Sequence, residues 1–253
     1  MKKNKIALVT GGSRGLGKNM AISLAQKGID VILTYHSKKD EAINVVKEIE
    51  ETGNKAAALQ FNVEDIKSFD KFLKEVSVTL KEIFNTDKID FLINNAGIGI
   101  HASFAETSEE KFDTLFNIHY KGVFFLTQKA LPIMEDGGGI INISTGLTRI
   151  ILPGYSAYAS MKAAIETLTK YLAKELGSRG IRVNALAPGA IETDFSGGAV
   201  RDNSQLNDFI ASNTALGRVG LPGDIGNVVA FLCTEDAKWV NAQRIEVSGG
   251  QMI

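Results

Sequence analysis

The chain has 253 residues, 44% of them hydrophobic and 23% charged, with a formal net charge of −1. That is enough apolar material for a full core, and the charge balance excludes a surface built to attract nucleic acid or an anionic membrane. The lone cysteine, Cys233, excludes an intrachain disulfide, and no apolar run approaches the roughly 18 residues of a membrane span, so the sequence reads as a cytoplasmic protein.

Two lysines, Lys2 and Lys3, precede the first apolar run, as in a secretion signal. The run from Ile6 to Thr10 is too short for a signal's apolar region and opens on a glycine loop, so it predicts a strand. Strands are predicted over 5–10, 31–35, 56–61, 90–95, 140–144, 182–187 and 244–248, each rich in β-branched or large apolar residues and bounded by Gly, Asn, Asp or Pro. Most are apolar throughout, as in strands covered on both faces. Helical spacing falls between them, over 16–27, 40–52, 65–84, 108–134, 157–178 and 222–233. Strand and helix alternating along the whole chain predict an α/β fold, a doubly wound parallel sheet with helices on both faces, in a single domain over 1–253. The segment 193–220 lacks strand character; it holds Gly197, Gly198 and a helical pattern over 205–212. Beyond the C-terminal end of a strand, where open α/β sheets bind ligands, it is expected to form a mobile lid over the substrate.

After the first strand comes Thr10-Gly11-Gly12-Ser13-Arg14-Gly15-Leu16-Gly17, opening a helix. Glycines there allow a tight turn and a close backbone approach to a pyrophosphate, and the helix N-terminus offers free N–H groups with a partial positive charge. A strand-to-helix turn that binds nothing is the plain alternative; the position on the first strand–helix turn favours dinucleotide binding. At the end of the second strand, Tyr35-His36-Ser37-Lys38-Lys39 carries no carboxylate before Asp40. Arg14 and His36, with the lysines, suit a 2′-phosphate, so NADP(H) is expected over NAD(H).

Tyr158 and Lys162 are four residues apart, on one face of a helix. A phenol has a pKa near 10, and an ammonium about 5 Å away at an effective dielectric of about 20 lowers it by about two units. That pair alone is common by chance. The segments TGGSRGLG at 10–17, NNAG at 94–97, NIHYKG from Asn117, NIST at 142–145, YASMK at 158–162 and PG at 188–189 occur in order and at suitable spacing.

Together they resemble the short-chain dehydrogenase/reductase family, over the entire chain. The resemblance implies one Rossmann-type domain with a seven-stranded parallel sheet in the order 3-2-1-4-5-6-7, and a hydride exchanged between a nicotinamide and a carbonyl or secondary alcohol carbon. It implies that Tyr158 exchanges the proton with the substrate oxygen, that Lys162 binds the nicotinamide ribose and lowers the tyrosine pKa, and that Asn117 holds a water in a relay to Lys162. Gly11, Ser13, Arg14, Gly15, Leu16 and Gly17 would line the pyrophosphate. Asn62 and Val63 would meet the adenine, at a site where the family often has Asp. Asn95 and Gly97 would lie beside the adenosine ribose, and Pro188, Gly189, Ile191 and Thr193 would wrap the nicotinamide. The family's serine, 13 residues before the tyrosine, is here Thr145, preceded by Ser144. Threonine keeps the hydroxyl donor, and Ser144 is the alternative.

The three histidines, His36, His101 and His119, show no metal spacing, so no metal is expected; His119 reads as structural and His101 as a loop histidine near the cleft. Helix 157–178 is apolar on more than one face, as in a helix that packs on a partner, and the family resemblance implies a homo-oligomer, a dimer or tetramer, through this helix and 108–134. The sequence does not name the substrate; the resemblance implies a small carbonyl or alcohol compound, and the apolar residues Ile98, Ile100, Ile151, Leu152, Phe195 and Phe209 suit a ketone. Two alternatives stand: a 3-oxoacyl-(acyl-carrier-protein) reductase, which needs a basic docking surface, and a catalytically silent NADP(H) sensor, which has no use for an intact tyrosine and lysine.

Overall fold

The runs predicted as strands pair in one sheet because their alternate residues feed two cores at once. In the computed structural model, which describes residues 4–253, β1 (Ile6–Val9) sends Ala7 and Val9 to one core and Ile6 and Leu8 to the other. Lys2 and Lys3 lie outside the described residues. The remaining strands are β2 (Asp30–Tyr35), β3 (Ala56–Gln60), β4 (Ile89–Asn94), β5 (Met134–Ile143), β6 (Arg182–Pro188) and β7 (Arg244–Val247). They form a seven-stranded parallel sheet in the order β3-β2-β1-β4-β5-β6-β7. The doubly wound, single-domain Rossmann-type architecture is as expected.

Helices cover both faces. On one lie α1 (Gly15–Gln26), α2 (Lys39–Glu50) and a late helix at Pro222–Leu232, whose Met20, Leu24, Val45, Ile49, Ile225 and Val229 meet Val9, Val31 and Leu33. On the other lie α3 (Phe69–Phe84), α4 (Glu109–Phe116), α5 (Gly122–Ala130) and α6 (Ser156–Glu175). From that side Phe69, Phe72, Leu80, Leu126 and Ala173 pack on Leu8, Leu92 and Ile140. The segment after β6 holds a 3₁₀ turn at Phe195–Gly198, then α7 (Ala199–Asp202) and α8 (Ser204–Ser212), and α9 is the helix at Pro222–Leu232.

Two predictions of element boundaries needed correction. The helix expected over 108–134 is interrupted: α4 and α5 are joined by a π-helical turn over Asn117–Lys121, and α5 ends in a 3₁₀ turn at Leu131–Ile133. β5 begins at Met134 rather than 140, running through Gly137 at φ +78° and a register shift against β4. The Glu135–Gly138 run reads as a turn by composition, and in the strand it forms the irregularity between two paired ends, Met134 with Ile89 and Gly139 with Phe91.

The sheet order places the chain reversal between β1 and β4. Their C-terminal ends, Thr10 and Asn94-Asn95, open the crevice where such sheets bind ligands.

Candidate active site

The glycine loop is built around contacts that leave no space for side chains. Gly11 sits at φ +66° and Gly15 at φ +55°, left-handed conformations that glycine adopts without penalty. A Cβ on Gly17 would lie 2.1 Å from the Gly11 carbonyl oxygen and 2.6 Å from Asn95 Nδ2. Asn95 Nδ2 donates to the carbonyls of Thr10, at 2.8 Å, and Gly11, at 3.2 Å, while Thr10 Oγ1 accepts from the N–H groups of Asn95 and Ala96. NNAG therefore braces the loop from behind.

The first turn of α1 has neither a side-chain cap nor an acidic residue, so its N–H groups and positive dipole end are open to an anion. A cavity of about 330 Å³ adjoins it, lined by Gly15, Lys18, Thr193 and Arg201 among others. Ser13 is buried and Leu16 half-buried along the same loop. Gly11 and Gly12 donate to Thr34 Oγ1 and its carbonyl at 3.1 and 2.8 Å, which sets the loop against the end of β2. Arg14, exposed, and His36, exposed just past β2, thus flank that end, where there is no carboxylate. The cradle and its donors fit a dinucleotide pyrophosphate, and the cationic edge fits a phosphate beyond it. Asn62 and Val63 follow β3, Asn62 Oδ1 accepting from the Glu64 N–H at 3.1 Å and the Val63 carbonyl resting on Gly122.

Tyr158 and Lys162 lie one turn apart on α6, and both are buried, 6% and 5% exposed. Lys162 Nζ donates to the Ile143 carbonyl at 2.7 Å, at the end of β5, and sits 5.8 Å from the Tyr158 ring centre. Thr145 hydrogen-bonds Tyr158, whereas Ser144 Oγ is committed to Glu166 Oε1 at 2.6 Å. Of the two hydroxyls, then, the structure brings Thr145 to the tyrosine.

The electrostatics differ from the sequence expectation. Burial holds the Tyr158 phenol above its ordinary value, and the Thr145 hydrogen bond offsets this only in part. Burial also lowers Lys162 to about 8. The ammonium is directed at a carbonyl rather than at the phenol, so the expected lowering of the tyrosine by the lysine is not realised in this arrangement; removing the phenolate from water dominates.

Asn117 lies where the helix changes period. It is half-buried at the start of the π-helical turn, its carbonyl accepts the Gly122 N–H, and its side chain makes no hydrogen bond among the described residues. The helical residue that reaches the tyrosine is His119, whose ring stands edge-on to Tyr158 at 5.0 Å and 89°. The π turn adds a residue to the register, and no helical wheel drawn on the sequence shows that.

On the far side, Pro188 ends β6 and Gly189 donates to the Val247 carbonyl. Gln251, buried, accepts from the Ala190 N–H at 2.9 Å, Ile191 bridges to Gly220, and Thr193 Oγ1 accepts from the Phe195 N–H. Phe195 then meets Tyr158 at 6.0 Å, and Tyr155 lies 6.5 Å from it on the other side. His101 is exposed and edge-on to Tyr155 at 5.2 Å.

Behind Thr145, Glu166 Oε1 also accepts from Thr148 Oγ1 and Arg244 Nε, both at 2.9 Å. Arg244 reaches Glu246, which binds Arg149, which in turn donates to the carbonyls of Gln251 and Met252. Sequence reasoning missed this network, together with Tyr155 and Gln251; charges separated by as many as 97 residues carry no local signal.

Residues 11–252 match the family model described as enoyl-(acyl carrier protein) reductase. A 3-oxoacyl-(acyl-carrier-protein) reductase of Staphylococcus aureus is 39% identical over 252 residues, covering 99% of each chain. A hydroxynaphthalene reductase-like protein of Metarhizium brunneum is 34% identical, over 98% of this chain and 95% of its own. Among solved structures, a promiscuous reductase, LugOII, that catalyses keto-reduction at C1 in lugdunomycin biosynthesis superposes with a TM-score of 0.94 at 36% identity, covering 99% of each chain. An angucycline C-6 ketoreductase, LanV, with bound NADP gives 0.93 at 35% identity, over 98% of this chain and 95% of its own.

Proposed function

The chain belongs to the short-chain dehydrogenase/reductase family, and on that premise we propose that it is an NADP(H)-dependent ketoreductase acting on a small carbonyl compound. The observation that carries this reading is the convergence of Thr145, Tyr158 and Lys162 at one buried point beside the glycine cradle. NADP(H), held by the glycine loop, Asn62, Val63, Asn95, Gly97 and the 188–193 segment, with Arg14 and His36 toward the 2′-phosphate, supplies the hydride when bound. LanV and a metagenomic blue fluorescent protein, 34% identical with a TM-score of 0.89, were crystallised with NADP and NADPH.

The residues of this chain supply orientation and the proton. Thr145 and Tyr158 donate hydrogen bonds to the substrate oxygen, where negative charge develops. Tyr158 Oη then gives its proton to that oxygen. An alkoxide is a stronger base than a phenolate, so a phenol kept protonated by burial is matched to reduction. Lys162, pinned by the Ile143 carbonyl, holds positive charge one helical turn away and stabilises the phenolate left behind. Phe195 and Tyr155 flank the tyrosine with apolar surface that excludes water.

The segment 193–220 serves as the lid over this site. Ser196, Gly197 and Gly198 form three successive left-handed residues at its start. The chain assembles as a homo-oligomer through α4 and α6, supported by Phe112 and Tyr171 standing exposed on them. It acts in the cytoplasm, in keeping with a buried free Cys233 and with no described helix long and apolar enough to cross a membrane.

The test is loss of NADPH or NADH absorbance against ketones, 3-oxoacyl thioesters and an enoyl thioester, with Tyr158→Phe as control. Tyrosine-dependent oxidation of NADPH by a ketone supports the reading. Faster consumption of NADH overturns the cofactor assignment, and turnover of the enoyl thioester alone moves the reaction to the carbon–carbon double bond.

A further inference from the structure

His119 is a buried histidine, 1% exposed, that the mechanism above does not use. Its Nε2 lies 2.8 Å from the Ile98 carbonyl oxygen, a distance at which the nitrogen donates. The Ile98 N–H is farther from the same atom, at 3.4 Å. The shorter contact fixes the tautomer: the proton is on Nε2, and Nδ1 carries a lone pair. Nδ1 is buried and has no hydrogen-bond partner among the described residues. A buried acceptor left unmade costs about 1–3 kcal/mol, and such a cost persists where the surroundings demand the group. Those surroundings are specific. A Cβ on Gly97 would lie 2.7 Å from His119 Cε1 and 3.2 Å from Nδ1, so the glycine of NNAG makes the room for this imidazole. On its other side the ring stands perpendicular to Tyr158.

We propose that His119 is the positioning residue of Tyr158: its neutral imidazole, anchored by the Ile98 carbonyl, holds the phenol ring in place, and a proton added at Nδ1 sets a second cation beside Lys162 and releases the ring. This rests on the ketoreductase reading for its effect on rate, but not for its effect on structure. The charged groups around the ring are few. α6 presents Tyr158 and Lys162, the loop after β4 presents the Ile98 backbone, and among the described residues Lys162 is the charged group that acts on the imidazole. Burial and the Lys162 ammonium both oppose a second cation here and hold His119 well below the ordinary histidine value. Under neutral conditions the brace is therefore in place, and it fails on the acid side.

The experiment is nitrogen NMR on histidine-labelled full-length protein, with His119 assigned by His119→Asn. The same pH series records the Tyr158 ring carbons and ketone reduction by wild type, His119→Asn and His119→Gln. The expected result is a proton on Nε2, a bare Nδ1 that titrates below about 6.5, and a Tyr158 signal that moves with the same midpoint. kcat of the wild type should then fall about tenfold per pH unit below that midpoint with KM unchanged, and this limb should be absent from both variants. A proton on Nδ1, titration at the ordinary value, a Tyr158 signal indifferent to the histidine, or an acid limb unchanged in the variants would overturn the proposal. If the wild type reduces no ketone, the ketoreductase reading fails, and the tautomer and the Tyr158 signal still decide for or against the brace.

Discussion

Replacing Gly17 by alanine tests whether the glycine loop is shaped by contact or by chance. The added methyl would lie 2.1 Å from the Gly11 carbonyl oxygen and 2.6 Å from Asn95 Nδ2, against an ordinary contact of about 3.4–4 Å. α1 is tied to the sheet at both ends, so the loop must retreat by more than an ångström. In doing so it gives up the Asn95 hydrogen bonds to Thr10 and Gly11. Overpacking costs about 1–3 kcal/mol and each lost hydrogen bond about 1 kcal/mol, while alanine returns about 1 kcal/mol of helix propensity. The net is a loss of about 2–4 kcal/mol, or roughly 5–15 °C in melting temperature for a chain of this size. NADPH affinity should fall at least tenfold, about 1.4 kcal/mol, because the N–H groups of α1 no longer line the cradle. Gly223→Ala, on α9 with nothing within 4 Å of the added methyl, is the matched control and should leave both unchanged or slightly improve stability. Thermal unfolding and NADPH fluorescence titration read the two effects. If Gly17→Ala melts with wild type and binds NADPH equally well, the loop is not the close-packed cradle argued above.

Three further outcomes follow from the same geometry. Thr145→Val keeps shape and removes the hydroxyl, so kcat should drop about 10²-fold with little change in stability, while Thr145→Ser should keep most of the rate; equal rates in Val and wild type would remove Thr145 from the reaction. Arg14→Ala should raise KM for NADPH about tenfold, as for loss of one charge-assisted contact, and leave KM for NADH unmoved; parallel losses would mean that Arg14 does not read the phosphate. Glu246 is held at about 2, chiefly by Arg149, with Arg244 and Ser248 assisting and burial opposing. A carboxylate whose folded value is depressed stabilises the fold above its unfolded value and loses that contribution as pH falls. Its share should therefore disappear between about pH 4.5 and pH 2, and Glu246→Gln should show a flatter acid unfolding curve over that window; an unchanged curve would mean that the network makes no net contribution.

The fold was legible because its signals are local. β-branched runs such as Val31–Tyr35, the glycine loop and the helical spacing between strands each act within a dozen residues, and sheet order follows once the crossovers are right-handed. Tyr158 and Lys162 were legible for the same reason, since four residues on α6 guarantee a shared face. What the sequence hid depends on distance or on a change of helical period. The Glu166–Arg244–Glu246–Arg149 network joins residues up to 97 positions apart, and it stands directly behind Thr145, through Thr148 and Ser144. A π-helical turn over Asn117–Lys121 changes the helical period and brings His119 to the tyrosine, which no local spacing announced. The pKa argument failed for a related reason. It took the separation of two side chains from helix geometry, while the direction of the ammonium was set by a carbonyl on β5 that the helix never sees. A motif thus specifies which groups share a pocket, and their protonation states follow from burial and from the third partner each group finds. Here those partners are Ile143 for the lysine, Thr145 for the tyrosine and Ile98 for the histidine. Each lies at or just beyond the C-terminal end of β4 or β5, so the sheet, more than the motif-bearing helix, sets the chemistry of the site.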